Sequence, residues 1–323
     1  MKLHGLDSLR FLGFLLLFIC HATGRDYYGY QVVSLFFILS SFLLTYLSLT
    51  EIDKTGKFSK TNFFIRRMLR IFPLYYLIIF FSFFVLPTIS GFIGMDINLP
   101  KKQYLYYFFL SNYDNSDHIF SLKFLWSIAV EEQFYLLFLL LSPLFKKYFF
   151  IPLLLLLLFY FGYMILIDDL ELKPFGKIFP HFANFLTGMT AAWYFKYKHY
   201  TLKSMFIVFI VTSPLVFAIS SNDILFNLFV SIDFAILILL TLKLFKTKKN
   251  QNLKLVAVME KLGMYTYGLY VYSGFVITFG LKYIDQSNKL IAIILELLIL
   301  ILIALLSYHI YEKHFLKLKR YFR

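Results

Sequence analysis

Stretches of about twenty predominantly apolar residues recur along the whole chain between short polar breaks, and this repetition constrains the fold more than any single motif. About twenty helical residues cross a hydrocarbon core of about 30 Å. Lipid offers no partner for backbone N–H and C=O groups, so a stretch of that length is expected to satisfy its own by forming a helix. Ten such stretches emerge, near residues 6–23, 32–50, 73–95, 124–143, 149–167, 180–196, 204–221, 224–243, 262–281 and 289–312. Composition points the same way: 60% hydrophobic residues, 42 Phe and 25 Tyr against 15% charged residues leave too little polar surface to solvate a globule of 323 residues. The first apolar run, Phe11–Cys20, also has the length of a signal-peptide core, but no A-x-A site follows and Arg10 sits at its edge. The expected fold is an all-α integral membrane protein of about ten transmembrane helices, one polytopic domain over 1–323, with the lipid bilayer as solvent.

In a soluble protein a net charge of +14 would suggest nucleic acid. Here it is read by position. With the N-terminus in the cytoplasm, 23 Lys and Arg fall on the inner side and 8 on the outer, with Arg10 inside the first span. That bias predicts both termini in the cytoplasm and no nucleic-acid partner. A single cysteine, Cys20, excludes an intramolecular disulfide; no Cys/His ligand spacing exists, so no metal is expected.

An ionisable group inside a span costs at least about 2.5 kcal/mol, so each needs a partner or a task. Asp7 and Arg10 lie one turn apart and are expected to pair. His21 shares a helix face with Arg10 about 16 Å further along, too far to touch it; an interfacial histidine and a topological arginine remain an alternative. Arg67 and Arg70 share a face beside Arg66, and two guanidinium forks suit a phosphorylated ligand, although such a cluster also serves as a stop-transfer signal. Glu131 and Glu132 are adjacent carboxylates in an apolar helix, near Trp126 and Tyr135, and at least one is expected to meet Arg10 or another buried cation; a structural ion pair is the alternative. His309 and Glu312 close the last span, where they could simply sit at the interface.

Taken in order, these stretches resemble the acyltransferase-3 family of membrane O-acyltransferases. The resemblance runs through Leu6-Asp7-Ser8-Leu9-Arg10 with His21 eleven residues on, Leu35 to Leu44, and Ile65-Arg66-Arg67-Met68-Leu69-Arg70 through Tyr76. It continues through Trp126-Ser127 with Glu131-Glu132-Gln133-Phe134-Tyr135, then Tyr267-Gly268-Leu269-Tyr270 and Glu312-Lys313. It implies transfer of an acyl group, most often acetyl, from cytoplasmic acyl-CoA to a hydroxyl of a cell-surface saccharide or glycolipid precursor at a bacterial plasma membrane. By resemblance, Arg10 and His21 match the family's R-x10-H signature and Arg67 and Arg70 its R-x-x-R pair. The extracytoplasmic hydrolase-like domain of some members is not expected here. Three positions depart from the pattern: Ser41 stands for a glycine, Ser273 for a histidine, and Lys313-His314 for Arg-Pro after Glu312.

The implied chemistry needs a base for the acceptor hydroxyl, a cation for the developing oxyanion and a grip on CoA phosphates. His21 suits the base because imidazole titrates near neutrality. Arg67 and Arg70 suit the grip, with the CoA arm running past Arg10 toward His21. Arg10 and Glu131 could instead only fix the first span against the fourth. A transporter or flippase of a lipid-linked saccharide would also bury charges at midplane, but no inverted repeat supports it. Oligomeric state is not legible.

Overall fold

The computed structural model describes residues 3–92, 94, 97–116, 120–170, 177–218, 223–246 and 253–322. Among these residues the elements are helical and no strand occurs. Five helices are long and apolar enough to cross a membrane: Gly29–Thr55, Lys60–Ile89, Ser121–Leu144, Ile224–Leu244 and Lys289–Phe322. They coincide with five of the ten predicted spans. The other five predicted spans also fall on helices, Leu6–Ala22, Phe150–Leu170, Phe182–Tyr197, Leu202–Ala218 and Thr266–Tyr283. The end of the 204–221 stretch and part of the 73–95 stretch lie outside the described residues.

In chain order the helices are α1 (Leu6–Ala22), α2 (Asp26–Thr55), α3 (Lys60–Ile89), α4 (Leu125–Leu141), α5 (Phe150–Leu170), α6 (Phe182–Tyr197), α7 (Leu202–Ala218), α8 (Asp223–Leu244), α9 (Lys254–Gly263), α10 (Thr266–Tyr283) and α11 (Lys289–Phe322). Two of them outrun their predicted spans. α3 begins thirteen residues before position 73, because the Ser59 side chain caps it by accepting from the Asn62 amide at 3.4 Å. α11 continues ten residues past 312. Hydropathy fades at the first charges, whereas the backbone ladder continues through them, so Arg66, Arg67 and Arg70 stand on the same rod as the apolar span. Both long helices carry a π turn, Phe81–Val85 in α3 and Tyr308–Glu312 in α11. α2 ends at Gly56, whose φ of 74° is the left-handed geometry of a helix C-terminus, with its amide on the Ile52 carbonyl at 2.7 Å.

The chain divides into two compact units. Unit 1 holds residues 1–20, 25–58 and 133–264. Its core is built where α2, α6 and α8 meet, from Leu35, Ile38, Leu39 and Phe42 against Ala191, Ala192, Ala235 and Ile238. The small residues of α6 let the backbones close in. At Gly188 an added Cβ would overlap the Ser41 hydroxyl and lie 2.5 Å from the Ile38 carbonyl oxygen. The missing side chain at this crossing is therefore on α6, which is what makes room for Ser41 where the family pattern has glycine. Buried His181 and Asn184 tie the same helices together, Asn184 donating to Ser34 Oγ at 3.2 Å and accepting from Ser231 Oγ at 2.6 Å. α9 docks on the start of α1: the Gly5 amide donates to Glu260 at 2.8 Å, and Gly263 leaves no room for a Cβ against the Asp7 backbone.

Unit 2 holds residues 21–24, 59–132 and 265–323. α10 packs on α11, on α3 and on the one-turn helix Phe120–Lys123 that leads into α4. The end of α11 folds onto the start of α3, where the Arg66 guanidinium donates to the Phe322 carbonyl at 2.5 Å.

Candidate active site

Unit 2 gathers most of the polar residues singled out from the sequence, and α10 is its spine. Tyr267 and Tyr270 lie three residues apart on one face of that helix. The Tyr270 hydroxyl donates to the Phe124 carbonyl at 2.8 Å and lies 2.7 Å from Ser127 Oγ, which also reaches the Phe124 carbonyl at 3.3 Å. One turn on, Gly274 admits Phe124 so closely that a Cβ would sit 2.6 Å from its ring and 2.7 Å from Ser121 Cα. Phe124 is thus clamped, and against it rests His21, ring centroids 4.4 Å apart and tilted by 57°. His21 stands half-buried in the last turn of α1, with the Phe124 ring orienting one side of its imidazole.

Tyr267 reaches α3. Its hydroxyl donates to the Ile71 carbonyl of α3 at 2.8 Å, and it lies within electrostatic range of Glu131, Glu132 and Glu312. Glu132 is 6% exposed, and its Oε1 has no hydrogen-bond partner among the described residues. Arg67 lies within electrostatic range of Glu132, and Arg70 within range of Glu312. The R-x-x-R pair therefore addresses two different buried carboxylates, one on α4 and one on α11. Glu312 accepts from Ser307 Oγ at 3.1 Å, Ser307 accepts from the Tyr272 hydroxyl at 3.0 Å, and Gly268 leaves space for the carboxylate, its absent Cβ being 3.2 Å from Oε1. Lys319 lies within electrostatic range of Arg66, Arg67 and Arg70, whose like charge disfavours its own. Arg66, Arg67 and Arg70 stand within five residues of α3, and forked guanidinium groups suit an added anion.

Phe109, in the segment between α3 and α4, takes a left-handed φ of 54° and stacks on Tyr75 of α3 at 4.2 Å. The Tyr75 hydroxyl donates to the Tyr106 carbonyl at 2.8 Å, so this segment is pinned to the same stretch of α3 that carries the motif.

His21, Arg67, Arg70, Trp126, Glu131, Glu132 and Glu312 all belong to unit 2. Asp7, Arg10 and Tyr135 belong to unit 1. Arg10 and Asp7 form the expected ion pair, 2.5 Å apart. Tyr135 is buried, 2% exposed. Of the last motif, Glu312 turns inward while Lys313 and His314 are exposed, and His309 turns instead to the Tyr265 hydroxyl at 3.4 Å. Ser273 is buried, its hydroxyl donating to the Tyr270 carbonyl at 2.6 Å. Lys319 was not singled out from the sequence, and Tyr75 and Ser127 entered only as members of the stretches that carry the family resemblance. Tyrosines are too numerous in this chain for one of them to stand out, and Lys319 reads as one charge of a basic tail.

A family profile described as an acyltransferase domain matches residues 3–312. The chain is 32% identical over 150 residues to the O-acetyltransferase OatA of Staphylococcus aureus, strains NCTC 8325 / PS 47 and COL alike. That match covers 42% of this chain and 24% of the relative, so the chain spans about a quarter of the length of the curated relatives it matches. No solved structure matches it.

Proposed function

The chain belongs to the acyltransferase-3 family, and on that premise we propose that it transfers an acyl group, acetyl first, from cytoplasmic acyl-CoA to a hydroxyl of a cell-surface saccharide or its lipid-linked precursor. Its setting is a bacterial plasma membrane, crossed ten times by one membrane domain with both termini in the cytoplasm; the 23 to 8 division of basic residues supports that topology. The observation that carries the reading is the clamped, half-exposed His21 in the same unit as the Arg66, Arg67, Arg70 and Lys319 cluster.

In this reaction the His21 imidazole takes the proton of the acceptor hydroxyl as its oxygen attacks the thioester carbonyl carbon. The C–S bond then breaks, and the departing CoA thiolate takes up the proton that the His21 imidazolium carries, which restores the base. Arg10, about 16 Å from His21 along α1 and paired with Asp7, lies on the path of the donor's extended arm. Arg67 and Arg70 hold donor phosphates, a role that their shared face beside Arg66 on α3 supports. Glu132 balances Arg67 and Glu312 balances Arg70, while Glu131 is kept as a catalytic candidate with Trp126 and Tyr135 as supports.

The test uses purified protein, radiolabelled acetyl-CoA and a saccharide acceptor. His21→Ala is expected to lower kcat by at least 100-fold with folding intact, since a positioned base contributes about 10²–10⁴. Arg67→Ala is expected to raise the KM for the donor more than it lowers kcat. Near-normal transfer by folded His21→Ala would remove the base, and an unchanged KM in Arg67→Ala would remove the phosphate grip. Movement of a saccharide without its acetylation would favour a flippase instead.

A further inference from the structure

Unit 1 holds a second basic site, remote in sequence from every motif above. Four lysines, Lys196, Lys198, Lys243 and Lys246, line a cavity of about 500 Å³ together with His4 and His199. They come from the C-terminal ends of α6 and α8 and from the start of the chain. No carboxylate is among the lining residues. Asp53 pairs with Lys196 at 2.7 Å and Glu260 stands 3.4 Å from His4, which leaves Lys198, Lys243 and Lys246 without an acidic partner among the described residues. Lys243 is held in place, donating to the Tyr200 carbonyl at 2.9 Å and lying 5.1 Å over the Tyr200 ring. Three uncompensated ammonium groups around one cavity repel each other unless an anion sits among them.

The floor of the cavity identifies the class of anion. Leu3, Tyr46, Phe195 and Leu242 line it beside the lysines, so the occupant must be anionic at one end and tolerate apolar walls. α7, packed on α8, turns Phe206, Ile207 and Ile210 outward, each more than half exposed, a surface suited to hydrocarbon chains. The basic segments after α6 and α8 are also those the charge bias assigns to the cytoplasmic side, where anionic lipids gather. We propose that this cavity binds the phosphate of an anionic phospholipid headgroup, with Lys243 as its fixed donor and the exposed Lys198, whose ammonium lies 5.4 Å over the Trp193 ring, and Lys246 at its rim. The proposal does not depend on acyl transfer.

The experiment compares the wild type with Lys198→Gln/Lys246→Gln, both exposed side chains whose loss leaves the packed helices untouched. Phosphatidylglycerol is titrated into detergent-solubilised protein and followed by thermal shift, and retained lipid is counted by native mass spectrometry. Phosphatidylcholine, coenzyme A and inorganic pyrophosphate are run in parallel. Phosphatidylglycerol is expected to raise the Tm of the wild type and to bind the double variant on the order of tenfold or more weakly, each basic residue near a membrane surface contributing appreciably to such attraction. Lys198→Arg/Lys246→Arg is expected to restore binding. Equal phosphatidylglycerol binding by the wild type and the Gln variant would overturn the site. Lysine-dependent binding of coenzyme A or pyrophosphate without any of phosphatidylglycerol would overturn the lipid assignment. A lipid-free Tm of the Gln variant equal to that of the wild type confirms that binding, and not folding, is read.

Discussion

Gly274→Ala tests whether the clamp on Phe124 is what orients His21. The new methyl group would stand 2.6 Å from Phe124 Cδ2 and 2.7 Å from Ser121 Cα. Carbon atoms prefer about 3.5–4.0 Å, so both approaches are short by about 1 Å. The ring can tilt, but Ser121 Cα is backbone, and the whole turn from Ser121 to Phe124 must therefore move by a comparable amount. Overpacking of this kind costs about 1–3 kcal/mol. His21, whose ring rests 4.4 Å from that of Phe124, loses the surface that orients it, and a misplacement of about 1 Å in a reacting group costs roughly 10² in rate. The expected result is a kcat about 100-fold down in protein that still elutes as one species and unfolds cooperatively at a lower temperature. Acyl transfer per folded molecule and thermal unfolding are measured on the same samples. A folded Gly274→Ala protein with a rate within threefold of the wild type would refute the clamp.

Three further outcomes follow from other contacts. Tyr270→Phe removes the 2.8 Å bond to the Phe124 carbonyl, but Ser127 still donates there, so about 1 kcal/mol of stability and a smaller loss of kcat than in Gly274→Ala are expected from chemical denaturation and kinetics. Gly188→Ala forces α2 and α6 apart and is expected to destabilise by about 1–3 kcal/mol; adding Ser41→Gly should recover only part of the lost Tm, because the Ile38 carbonyl remains 2.5 Å from the new Cβ. Arg66→Ala releases the Phe322 carbonyl, and hydrogen exchange should rise selectively at residues 319–322, whereas unchanged protection there would show that the bond does not hold the tail.

Much of the site was legible in the sequence because burying charge in lipid is expensive, so ionisable residues inside apolar stretches announce themselves. Asp7 with Arg10 is a local pair whose spacing suffices. The partner expected for Glu131 and Glu132 was Arg10 or another buried cation; for Glu132 a cation within electrostatic range is Arg67, sixty-five positions away and on a different helix. The hydroxyl groups of Tyr267 and Tyr270 gave no such warning, since a tyrosine in an apolar run looks like one more aromatic. Glycine roles were hidden for a related reason. Nothing local distinguishes Gly188 or Gly274, which touch a facing helix, from Gly162, which has open space around it.

By itself the amino-acid sequence determined that the chain is helical and built for lipid, and which ionisable residues needed a reason to be there. These are properties of a few consecutive residues, set by hydropathy and by the backbone's need for hydrogen bonds. Only the tertiary structure decided which arginine serves which carboxylate, that Phe124 is the seat of His21, and that the lysines ending α6 and α8 share one cavity. Those outcomes depend on how rods far apart in the chain lie against each other, and shape complementarity between such rods leaves no periodic trace along any one of them.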